Sequence, residues 1–76
     1  MTEYDRKKAF AEGELKALIS AVSRGQAEVY YSAPVKAGRV VGEYITVTYA
    51  GGFTTDIDVT ADSLGSMAIE IVREVM

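Results

Sequence analysis

Two aspartates, Asp56 and Asp58, stand two residues apart in the segment Thr54-Thr55-Asp56-Ile57-Asp58. On a strand that spacing puts both carboxylates on one face. Carboxylate oxygens suit Mg²⁺ or Ca²⁺. Two of them do not close a hard-cation site, and Asp62 lies past the strand end. A row of outward polar residues is also what a strand with one solvated face requires. The chain has no histidine and no cysteine. That removes the commonest general base, thiol nucleophiles and every zinc site built from those residues. No phosphate-cradling glycine motif is present, and the glycines of Gly38-Arg39-Val40-Val41-Gly42 are spaced wrongly for one. A glycosidase-type carboxylate pair needs a cleft, for which 76 residues leave little room. The expectation is a protein that is not an enzyme and uses no cofactor or metal.

Binding residues are easier to find. Tyr30, Tyr44, Thr46, Thr48, Asp56 and Asp58, with Glu28, fall on the outer positions of three alternating segments. Tyrosine offers large contact area, few torsions and a polar tip, which favours it in interfaces. Tyrosine and threonine are also good strand formers, so the same pattern serves a plain solvated sheet face. Lys36 and Arg39 sit in an expected loop and could meet an anion. Arg6-Lys7-Lys8 is too short a run for a nucleic-acid patch.

These side chains need elements to hold them. Residues 2–24 read as a helix opened by a capping box of Thr2 with Asp5. Tyr4, Ala11, Leu15, Leu18, Ile19 and Val22 fall on its apolar stripe. Gly25 supplies a stop, and Gly13 marks a kink, a close contact inside the helix, or a helix that begins only near Glu14. Residues 26–32 alternate as a strand, with Ala27, Val29 and Tyr31 inward. Pro34 opens a loop over 33–39. A second strand over 40–49 turns Ile45, Val47 and Tyr49 inward. A third over 53–59 turns Phe53, Thr55, Ile57 and Val59 inward. Residues 62–76 form a last helix capped by Asp62 or Ser63, with Leu64, Met67, Ala68, Ile71, Val72 and Val75 on one stripe. Phe10 and Ile69 lie off the two stripes; they are expected at the core edge, with a dimer contact as the alternative. The fold class is α+β, in the order α-β-β-β-α. One domain over 1–76 packs two helices on one face of a three-stranded antiparallel sheet.

The turn between the last two strands can be counted. Opposed residues in an antiparallel pair share a face. A two-residue Gly51-Gly52 loop would set Val47 against Asp56 and Ile45 against Asp58. A three-residue loop, Ala50-Gly51-Gly52, instead sets Tyr49 against Phe53, Val47 against Thr55 and Ile45 against Ile57. That predicts a G1 bulge with Gly52 left-handed.

The formal net charge of −3 is unevenly spread. Residues 1–42 hold seven bases and five acids, net +2; residues 43–76 hold one base and six acids, net −5. Such a surface repels nucleic acid and attracts a basic partner. The start of the chain lacks a signal-peptide pattern, and no apolar run is long enough for a membrane span. A cytoplasmic protein is expected, without membrane or direct nucleic-acid contact.

The element order resembles that of double-stranded RNA-binding domains. Those domains grip phosphates with basic residues at the start of the last helix. Here that stretch is Asp62-Ser63-Leu64-Gly65-Ser66-Met67, with no base, so their function does not carry over. An RRM-like platform fits poorly too, because the strand order differs and the sheet face is acidic. In size, acidity and lack of catalytic equipment the chain resembles small acidic proteins of phages and mobile elements, including anti-CRISPR proteins. That resemblance implies an inhibitor docking on a basic surface of a nucleic-acid-handling complex. The alternatives are a small homodimeric assembly subunit and, further off, an aspartate-based metal binder or enzyme.

Overall fold

The computed structural model describes residues 2–76. A single helical rod opens the chain, in three segments: α1 (Glu3–Phe10), a π-helical turn (Ala11–Leu15) and α2 (Lys16–Val22). Thr2 caps it as expected. Its hydroxyl accepts from the Asp5 N–H at 3.1 Å, and the Asp5 carboxylate accepts from the Thr2 N–H at 3.2 Å. The buried line of this rod is Lys7, Ala11, Leu15 and Ile19, every fourth residue. In an unbroken α-helix each such step overshoots the face by about 40°. The π turn takes up an extra residue and brings the line back over the core. Gly13 lies inside that turn, and a Cβ there would meet nothing within 4 Å. Tyr4, Leu18 and Val22, expected on the stripe, remain about 40% exposed at its margins.

Three strands follow in a sheet of order β1-β4-β5: β1 (Ala27–Ser32), β4 (Tyr44–Tyr49) and β5 (Thr54–Asp58), all antiparallel. Between β1 and β4 lies a small ribbon, β2 (Val35–Lys36) paired with β3 (Arg39–Val40). This corrects two expectations. The loop over 33–39 is a two-residue hairpin, turning on Ala37 (φ 51°) and Gly38 (φ 79°). The strand expected over 40–49 is interrupted at Val41, Gly42 and Glu43. The Val41 N–H donates to the Pro34 carbonyl at 3.0 Å, so Ala33 alone opposes Gly42 and Glu43. That extra residue is a β-bulge.

The β4–β5 turn has the expected register, with Val47 against Thr55 and Ile45 against Ile57. Gly52 is left-handed at φ 92°, its N–H donates to the Tyr49 carbonyl at 2.9 Å, and the Tyr49 N–H donates to the Phe53 carbonyl at 2.8 Å. Phe53 is the exception. It has inward parity but is 76% exposed, although Tyr49 opposite it packs on the core and donates from its hydroxyl to the Glu74 carbonyl at 3.3 Å.

Helix α3 (Leu64–Val75) is capped by Ser63, whose hydroxyl accepts from the Ser66 N–H at 3.2 Å. Met67 and Ile71 are fully buried, and Leu64, Ala68, Val72 and Val75 pack beside them. Both helices cover one face of the sheet, over Val29, Ile45, Val47 and Val59. Phe10 packs at the core edge as expected, whereas Ile69 points away, 59% exposed.

Candidate functional site

Among the described residues, no helix or strand covers the outer face of the sheet. Its side chains stand in cross-strand rows set by the register. Glu28, Thr48 and Thr54 form one, Tyr30, Thr46 and Asp56 the next, and Ser32, Tyr44 and Asp58 the third. All six residues expected to bind a partner therefore share one surface. Tyr30 stands free, 60% exposed, at the centre of the β1 edge. Tyr44 is half-buried instead: a Cβ at Gly42 would come within 2.8 Å of its hydroxyl, so its ring lies back over the bulge. Thr46 donates to Asp56 Oδ1 at 2.7 Å, across the strands. Asp58 Oδ1 accepts from the Thr60 N–H at 2.8 Å, and the two bonds to Thr60 hold its pKa below the usual value. The aspartates are thus oriented by their neighbours rather than by each other. Among the described residues, no group of three or more acidic, histidine or cysteine side chains is placed to hold a metal ion.

Sequence reasoning missed a second constellation, on the inner face. Tyr31 is the last inward residue of β1, and Glu43 and Val59 flank β4 and β5 at the same end of the sheet, where the Val59 N–H donates to the Glu43 carbonyl at 2.9 Å. Lys7 descends on them from α1. Its ammonium lies 3.0 Å from Glu43 Oε1 and donates to the Val59 carbonyl at 3.3 Å. The Tyr31 hydroxyl donates to the same Glu43 oxygen at 2.7 Å. Lys7 is 2% exposed and Glu43 5%. Burial alone would raise the Glu43 pKa. The Tyr31 and Lys7 hydrogen bonds, the Lys7 charge and the Ala61 N–H together outweigh it and hold the carboxyl below its ordinary value. Tyr31 is shifted upward, first by burial and then by the carboxylate it faces. A phenol held protonated and a carboxylate with its reactive oxygen doubly occupied make a poor acid–base pair. This cluster ties α1 to all three strands. Parity along each strand and the four-residue line in the helix were its only sequence signals.

An open cleft of about 340 Å³ lies outside this cluster, lined by Glu3, Arg6, Lys7, Asp62, Ser63 and Leu64. Its charges are mixed. Asp62 Oδ2 is buried there without a hydrogen-bond donor among the described residues. Glu70 stands against Asp62, and their contact, with partial burial and the Asp58 charge, raises the Glu70 pKa. Among the described residues, no helix is long and apolar enough to cross a membrane. No protein-family model, curated protein or solved structure matches the chain.

Proposed function

We propose that the chain is a non-enzymatic binding module whose outer sheet face docks on a basic protein surface. The observation that carries this reading is the uncovered face itself, where exposed Tyr30 stands in one row with Thr46 and Asp56. An aromatic anchor beside fixed carboxylates suits a partner rich in lysine and arginine, and the net −5 of residues 43–76 steers it inward. In the proposed setting the partner is a nucleic-acid-handling complex in the cytoplasm. The chain acts as a small acidic inhibitor of the phage or mobile-element type, anti-CRISPR proteins included, by occupying the surface that nucleic acid would use.

The test is capture of partners from host lysate after nuclease treatment, with wild type beside Tyr30→Ala and Asp56→Lys. Both sites are exposed, so both variants should keep the wild-type circular dichroism. A stoichiometric basic protein held by the wild type and lost by both variants is the expected result. Equal retention by all three rejects the sheet face as the docking surface.

A further inference from the structure

Among the described residues the sheet β1-β4-β5 has two open edges, and they differ. In an antiparallel ladder alternate residues turn both backbone groups to the neighbouring strand, and those between turn theirs away. The Tyr49 N–H donates to the Phe53 carbonyl and the Val59 N–H to the Glu43 carbonyl, with Thr55 and Ile57 between at the same parity. The N–H and C=O groups of Thr54, Asp56 and Asp58 therefore point to the open edge of β5. All three residues are exposed. On β1 the Ala50 N–H donates to the Gln26 carbonyl, so the edge-directed residues there are Ala27, Val29 and Tyr31. They are buried where the helical rod packs along β1, and the Ala27 N–H is taken by the Ser23 hydroxyl at 3.1 Å.

Open edges are commonly guarded by lysine or proline. The segment Thr54–Asp58 has neither, and its surroundings are acidic. Asp56 and Asp58 stand on its outer side, oriented by Thr46 and Thr60. On its inner side Glu70 of α3 stands against Asp62 and within reach of the Asp58 charge. Glu74, one turn on, lies on the same side of the helix. Five of the six acids in residues 43–76 thus flank β5, with Arg73 the one base of that half. Such an edge disfavours a second copy, since full antiparallel overlap of two β5 strands sets Asp56 on Asp56. It favours an extended basic segment. A strand added there puts alternate side chains beside Asp56 and Asp58 on the outer face, and the others beside half-buried Ile57.

We infer that the basic partner docks by strand addition: an extended segment of alternating basic and apolar residues pairs with the open edge of β5. The inference rests on the outer face being a docking surface for a basic protein, and it names the part of that protein that reaches Asp56.

A short peptide of alternating lysine and valine is the probe, beside the same peptide N-methylated at each lysine amide. Methylation keeps the charge and removes the N–H groups that would pair with Thr54, Asp56 and Asp58. Calorimetry should find the methylated peptide at least about tenfold weaker. Thr54→Pro should weaken the plain peptide similarly, because it removes an edge N–H while keeping every acid and the ladder to β4. Asp56→Lys should weaken both peptides. Hydrogen exchange at the Thr54, Asp56 and Asp58 amides should slow when the plain peptide binds, with Val29 and Tyr31 unchanged. A plain peptide that does not bind overturns the inference. Slowed exchange at Val29 and Tyr31 instead also overturns it, by moving the segment to β1. Equal binding of the two peptides, still lost in Asp56→Lys, rejects strand addition alone and leaves the acidic docking face standing. The lysate capture with Tyr30→Ala tests that face independently.

Discussion

Glu43 Oε1 faces two buried donors, an ammonium at 3.0 Å and a phenol at 2.7 Å. A buried pair gains little over well-packed apolar residues, but removing one partner strands the other and costs about 3–5 kcal/mol. A domain of 76 residues has only about 4–11 kcal/mol in total. Glu43→Gln is therefore expected to remove a large part of the stability at neutral pH, as read by urea unfolding. Adding Lys7→Met should restore much of it. The pH dependence has a definite sign. The folded pKa of Glu43 lies below its ordinary value of 4.5. Its charge thus stabilises the fold fully above that value, and the contribution disappears as the pH falls through the depressed one. Wild type and Glu43→Gln should converge in stability on the acid side. A difference that stays constant down to the lowest pH would show that charge is not what holds the cluster.

At the scale of elements, the π turn lets a helix with a four-residue repeat keep Lys7, Ala11, Leu15 and Ile19 over the sheet. Gly13 lies in that turn, exposed, with open space around its missing Cβ. Gly13→Ala is expected to raise stability by up to about 1 kcal/mol, measured as an increase in the urea midpoint. A loss would mean that the turn itself needs glycine. Local rules made much of the fold readable. The β4–β5 register followed from keeping Asp56 and Asp58 off the core face, and α3 from an unbroken stripe. The ribbon did not follow, because Pro34 argues for a loop and the bulge leaves no mark in the hydrophobic pattern. Lys7 and Glu43 were hidden because each, read alone, is a surface residue. Only the meeting of α1 with the sheet gives them a reason to be inside. For the candidate site, outward parity placed all six residues on one face of the sheet.

For the whole molecule, the strand order β1-β4-β5 means that the sheet closes through sequential antiparallel pairings, the last of them across a three-residue turn. The Lys7 contact with the Val59 carbonyl spans 52 residues and joins α1 to the residue that follows β5. Closing a long loop costs entropy that local pairings do not. The meander should thus assemble while α1 is still loose, and the ion pair should lock late. In kinetic terms Lys7 lies on the native side of the folding barrier. Lys7→Met is expected to leave the refolding limb of a chevron nearly unchanged and to speed unfolding by almost the whole loss of stability, a φ-value near zero. The ammonium that closes the core would then set how long the protein stays folded, and not how quickly it gets there.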